Sequence, residues 1–396
     1  MKFDNRFNAL LGVTVVSNVG VGLVIPILPN YLHKAGLSIP ALGMPFTMLV
    51  LGRLCSRLFA PWVIARMGHR TVAASMFLLY SVVLACYLGA SNLLQFDALR
   101  FLEGIIEGVL AIALNDLAIA WTSNLRNEER VAAMGRFGAA FGLGFLLGPL
   151  LGSFVSYLAD VRGVFAAGAI VTAGAAVLAA SWLASDKPRQ RAPLSLAASG
   201  ELVAVYCPQW LRRVAFLSLM ILLPLQVTGP LHLRGEVAGL LFSASAILST
   251  TVMPLASKIS KRIGARTTVI YGLFLIGVTL LTLGITKDPY TFMVVFLLET
   301  LCFAIAIPPA MSEFGFAVDE RPDRTSIVAT LSLFTEIVSL PVTLLLPWLY
   351  ARQPLAAWVF IAGMSFVTCG AFKLGSRWPR DRAGTDAGSG TRPTHS

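Results

Sequence analysis

The chain has 396 residues, 56% of them hydrophobic, a mean hydropathy of +0.76 and only 13% Asp, Glu, Lys and Arg. So much apolar surface excludes a soluble globular protein, and apolar runs of about 20 residues, without the short alternation of barrel strands, exclude a β-barrel. The net charge of +11 is read as topogenic, so no nucleic-acid partner is expected.

The chain opens on Met1-Lys2-Phe3-Asp4-Asn5-Arg6 and a long apolar run. That run exceeds a signal-peptide core and is followed by Ile25-Pro26-Ile27-Leu28-Pro29 rather than a small-residue cleavage site. It reads as a retained first membrane helix. The predicted spans are 9–31, 41–63, 72–91, 98–121, 133–158, 164–184, 213–230, 237–257, 267–286, 290–310, 326–347 and 354–372. The fold class is therefore all-α: twelve transmembrane helices in two pseudo-symmetric bundles of six. Residues 1–185 form the first bundle, 186–209 a cytoplasmic linker, 210–374 the second bundle and 375–396 a disordered cytoplasmic tail. Pro224, Pro230 and Pro254 mark breaks in the seventh and eighth spans, and Pro308-Pro309 should end or kink the tenth.

Orientation follows from Lys and Arg. With both termini cytoplasmic, 22 of the 31 fall in inner segments, Arg212 and Arg213 among them, and five in outer loops. This is the positive-inside pattern. The expected location is the inner (cytoplasmic) membrane of a bacterium, with membrane lipids as partners and a monomer as the working unit. The five cysteines and four histidines are scattered, so neither disulfide nor metal site is expected, and no cofactor.

Two loops repeat. Arg66-Met67-Gly68-His69-Arg70-Thr71 follows the second span, and Arg262-Ile263-Gly264-Ala265-Arg266-Thr267 follows the eighth. Glycine permits a tight turn or positive φ there, and the arginines can meet helix ends and anionic headgroups. In the fifth span Gly138, Gly142, Gly144, Gly148 and Gly152 offer close backbone approach, and Pro149 removes a helix hydrogen bond. That composition suits a sliding seam between halves.

Four pieces together resemble the major facilitator superfamily, within it the twelve-span drug:proton antiporter branch. They are Ile25-Pro26-Ile27-Leu28-Pro29 with Tyr31, the loop Arg66–Arg70, Arg100-Phe101-Leu102-Glu103-Gly104 with Gly108, and Gly144 through Gly152. The resemblance implies rocking-bundle transport, an exporter's motif in the fifth span, and a role for Arg100 in proton coupling or in bracing the site. It also implies a glycine and an aspartate where Pro61 and Ala65 stand, and where Ser257 and Lys261 stand in the second copy. The resemblance implies that the latch this aspartate supplies in the family is weakened here.

Charged residues inside spans usually face a cavity or a partner. The fourth span offers Glu107, Glu103, Asp116 and Arg100 as proton-coupling candidates, with Glu107 preferred for its depth and Asp116 as the alternative. Substrate-binding candidates are Arg53 and Arg57, one turn apart, with Glu299 and Glu336 in the second half. Two arginines beside a cavity suit an anionic substrate such as a carboxylate-bearing metabolite or siderophore; the bland alternative pairs Arg53 with Glu107 or Asp116 and lets Arg57 snorkel to the cytoplasm. The functional reading is a proton-coupled exporter of a small organic compound, the proton being the coupling ion. The alternatives are an uptake symporter or a lipid flippase with the same fold. No phosphate-binding loop or clustered His and Asp points to ATP coupling or to an enzyme.

Overall fold

The computed structural model describes residues 5–34, 36–122, 127–183, 200–319 and 324–375. Residues 186–199 of the predicted linker and 376–396 of the tail lie outside them. Among the described residues every regular element is helical: α1 (Asn5–Val24), α2 (Leu28–Lys34), α3 (Gly43–Met67), α4 (His69–Cys86), α5 (Leu93–Thr122), α6 (Asn127–Trp182), α7 (Gly200–Thr228), α8 (Glu236–Ile263), α9 (Ala265–Ile285), α10 (Pro289–Asp319), α11 (Arg324–Arg352) and α12 (Pro354–Gly375), with a short 3-10 turn at Pro40–Leu42.

Eleven segments are long and apolar enough to cross a bilayer, and one of them, Arg136–Trp182, has 47 residues, enough for two passes. Its backbone breaks at Ala159 (φ −131°) and Asp160 (φ 64°), where Asp160 Oδ1 accepts the Val161 N–H at 2.7 Å. Twelve passes result, and the break falls in the predicted gap between the fifth and sixth spans.

Helices α1 and α3–α6 pack among themselves, α1 and α4 against α6 and α3 against α5; α7–α12 form the second group, with α9 against α10 and α12, α8 against α10, and α7 against α11 and α12. The groups meet along two seams, α6 against α8 and α3 against α11. Large apolar side chains such as Leu94, Ile170, Val367 and Leu374 stay exposed, the surface that hydrocarbon chains cover. The two repeated loops are built alike. Gly68 has φ 78° and Gly264 φ 89°, and their amides donate to Ile64 O at 2.8 Å and Ser260 O at 2.9 Å. A side chain is disfavoured at such φ. We call the face bearing these loops and both described chain ends the basic face.

Several expectations need correction. Of the five α6 glycines read as a seam, only Gly142 faces the other half, towards Thr250 of α8; Gly144, Gly148 and Gly152 do not line it. Gly144 faces Val15 and Asn18, Gly148 faces Gly22, and Gly152 faces Leu23, all on α1 within the same half. Small residues let two backbones touch, and here they weld α6 to α1. The seam to α8 uses other parts of α6: the Leu146 carbonyl accepts from Ser243 Oγ at 2.9 Å, and Ser153 Oγ donates to the Glu236 carbonyl at 3.0 Å. Helix α10 continues through Pro308 and Pro309 to Asp319, past the predicted end of the tenth span at 310, and so includes Glu313. Pro224 is likewise inside α7. That helix starts at Gly200, within the stretch read as linker, and so Arg212 and Arg213 belong to a helix and not to a loop.

A Cβ on Gly148 would sit 2.7 Å from the Gly22 Cα. Gly148→Ala is therefore expected to lower stability by about 1–3 kcal/mol, the usual overpacking range. Thermal unfolding in detergent micelles checks this; an unchanged midpoint would show that α1 and α6 can part freely.

Candidate functional site

The site begins with three glycines. Gly52 of α3 packs on the Phe101 carbonyl of α5, Gly104 on the Leu49 carbonyl, and Gly108 on Ser56. Absence of a Cβ brings α3 and α5 into backbone contact, and Arg53 falls beside Glu107. Their side chains form an ion pair, 13% and 10% exposed. Glu107, the preferred proton carrier of the sequence reading, is thus a partner of Arg53.

One turn further along α3, Arg57 does not snorkel to the basic face. Its Nη2 donates to Glu336 Oε1 of α11 at 3.1 Å. From α7, Arg213 brings its Nη2 to 3.6 Å from Glu336 Oε2, an ion-pair distance too long for a hydrogen bond. Arg53, Arg57, Glu107, Arg213 and Glu336 all sit near the middle of their helices and span both halves. Arg213 is the member that sequence reasoning missed. Arg53 Nη1, Arg57 Nε and Arg213 Nε are buried without an acceptor.

Arg100 and Glu103 form a separate, closed unit. Arg100 Nη1 donates to Glu103 Oε2 at 2.7 Å, Tyr80 to Oε1 at 2.8 Å and Tyr87 to Oε2 at 3.1 Å. The guanidinium lies 5.1 Å over the Phe46 ring. Three donors on one buried carboxylate make a structural brace within the first half. Asp116 is half-buried further along α5.

Glu299 has the opposite surroundings. It is 2% exposed on α10, and its Oε1 meets no hydrogen-bond donor. The half-repeat explains its setting. An interval of 196 positions carries Gly68 onto Gly264, Arg70 onto Arg266 and the start of α5, Leu93, onto that of α10, Pro289. The same interval carries Glu103 onto Glu299, Arg100 onto Phe296, Tyr80 onto Ile276 and Tyr87 onto Leu283. The second half keeps the carboxyl and replaces all three of its partners with buried hydrocarbon.

Elsewhere, Arg66 lies 4.3 Å over Trp62, Arg70 and Arg262 are exposed, and Arg266 Nε donates to Glu313 Oε2 at 3.0 Å. Several bonds between halves gather towards the face opposite the basic one: Thr47 with Thr343 at 3.0 Å, Thr228 to Asn30 at 3.0 Å, and the two serine bonds between α6 and α8. Arg234 adds a cation–π contact to Tyr157, 4.9 Å away. Above this closure a cavity of about 540 Å³ lies between Asn30, His33, Glu236 and Tyr350.

Two bundles, two seams and a buried charge cluster between them describe a transporter's architecture. The family model "Major Facilitator Superfamily" matches residues 10–221 and 205–394. The chain belongs to the major facilitator superfamily. Among curated proteins, this facilitator is 24% identical to the class C tetracycline resistance protein of Escherichia coli over 96% of its own length and 99% of that protein. It is 28% identical to the class B protein of the same species, and 26% to the quinolone resistance protein NorA of Staphylococcus aureus (strain MRSA252). These two alignments cover 40% and 38% of the facilitator; it spans only 39% and 38% of those relatives. Among solved structures, the D323A mutant of the nucleoside transporter NupG superposes with a TM-score of 0.77 at 12% identity, over 93% of the facilitator and 99% of that chain. A bacterial homologue of the lysosomal transporter Spinster, inward-facing and occupied, gives 0.73 at 12%, over 94% and 96%.

Proposed function

We propose that this facilitator is a proton-coupled exporter of a small organic compound, belonging to the drug:proton antiporter branch and working as a monomer in a bacterial inner membrane with its basic face in the cytoplasm. Export is supported by the resistance proteins among its relatives. In this orientation the bonds that close the halves lie towards the outside. The observation that carries proton coupling is Glu299. An isolated ionised carboxylate costs several kcal/mol in an apolar interior, and a bound proton removes that cost. Glu107 and Glu336 are already paired with arginines, and Glu103 is fully bonded. Glu299 therefore takes up and releases the proton as the halves alternate. No cofactor enters this cycle.

Purified protein in liposomes, with an imposed pH gradient and a trapped pH-sensitive dye, tests the reading. Gradient-driven accumulation of tetracycline, a quinolone or an aromatic acid is expected in everted orientation. Glu299→Gln should cut that accumulation at least tenfold while leaving equilibrium exchange of the same compound intact. Full coupling in Glu299→Gln would remove Glu299 as the proton site, and accumulation driven only in the opposite orientation would make the protein an uptake symporter.

A further inference from the structure

We propose that the central cluster receives a small organic monoanion, whose carboxylate is held by Arg57 and Arg213 with Arg53 beside them. This rests on the exporter reading in one respect, that the cluster between the halves is the substrate site. Three guanidiniums there face two carboxylates, Glu107 and Glu336, leaving one positive charge in mid-membrane. Such a charge is costly unless it is matched, and a monoanion matches it.

The donors fit the same ligand. A guanidinium has five N–H groups in a rigid fork. Glu336 takes one hydrogen bond from Arg57 and stands 3.6 Å from Arg213, so it satisfies neither arginine. One buried nitrogen on each of Arg53, Arg57 and Arg213 has no acceptor. Access is graded in the right order: side-chain exposure is 34% for Arg57 and 23% for Arg213, against 13% for Arg53, whose partner Glu107 holds it in place. Arg57 belongs to the first half and Arg213 to the second, so one carboxylate between them bridges the parts that must move. A planar carboxylate suits this paired arrangement. A cation would add to the one unmatched positive charge and is disfavoured.

The test uses one ring system with three charges: 2-naphthoate, 2-naphthamide and 2-naphthamidine, with the smaller benzoate, benzamide and benzamidine beside them. Binding to the purified full-length protein is measured by equilibrium dialysis in detergent. The acids should bind, and the amidines should not. Arg213→Gln should weaken acid binding at least tenfold, and Arg57→Gln should do likewise. Glu336→Gln should strengthen it several-fold, because a competing carboxylate is gone, a gain that a damaged fold cannot imitate. Amidine binding equal to acid binding, no binding of either acid, or weaker acid binding in Glu336→Gln overturns the assignment. Proton-driven transport is read separately: if no compound is moved by a pH gradient while the acids still bind, export fails and the anion site stands.

Discussion

Arg53→Met alone is expected to cost about 3–5 kcal/mol of stability, whereas Arg53→Met combined with Glu107→Met should cost much less. The single change strands Glu107 as an uncompensated charge, 10% exposed and deep between α3 and α5. The double change removes both charges and leaves side chains of similar length in a space lined by helix. The two outcomes separate a pair that is there to be neutral from one whose polarity holds the helices. Chemical unfolding of the four proteins of this cycle in detergent measures the coupling directly. Equal losses in the single and double variants would mean that the pair itself supplies the stability.

The second large effect is expected at Gly104. A Cβ there would press on the Leu49 carbonyl, and backbone yields far less than a side-chain end. Gly104→Leu should cost about 3 kcal/mol from overpacking and should also push α3 away from α5, which pulls Arg53 off Glu107. Little monodisperse protein should survive extraction and size-exclusion chromatography. Gly108→Ala is the milder control: it adds a single methyl, which meets the Ser56 side chain before any backbone, with the Arg53 Cα 3.3 Å away. A well-behaved Gly104→Leu protein would refute the tight crossing.

Hydropathy and loop charge made the twelve passes legible, because each pass answers to the bilayer and needs no knowledge of its neighbours. The break at Ala159–Asp160 could be placed for the same reason. The candidate site was legible only in part. Arg53, Arg57, Glu107 and Glu336 stood out as charges inside apolar runs, but a run cannot say which charge meets which. Arg213 was lost because Pro208, Gln209, Arg212 and Arg213 interrupt the apolar run and read as a loop; its reach to Glu336 on α11 is a tertiary fact. A continuous helical reading from Gly200 would have exposed it. Gly144, Gly148 and Gly152 misled for a related reason: composition tells that a helix has a close neighbour, not that the neighbour is α1. Glu299 could have been weighed more heavily, since the interval between the repeated loops already carries Glu103 onto it.

Helix α3 holds two hydrogen bonds to α11 ten residues apart, Thr47 to Thr343 and Arg57 to Glu336, or about 15 Å along its axis. The first joins two neutral hydroxyls and is worth about 1 kcal/mol; the second involves charged groups and is worth about 1.5–3 kcal/mol. The passage is therefore zipped unevenly, lightly at the rim and firmly at mid-depth. Parting of the rim alone leaves the inner clasp shut, so no single breakage frees α3 from α11. Closure along this seam therefore rests on two clasps of unequal strength, set at different depths.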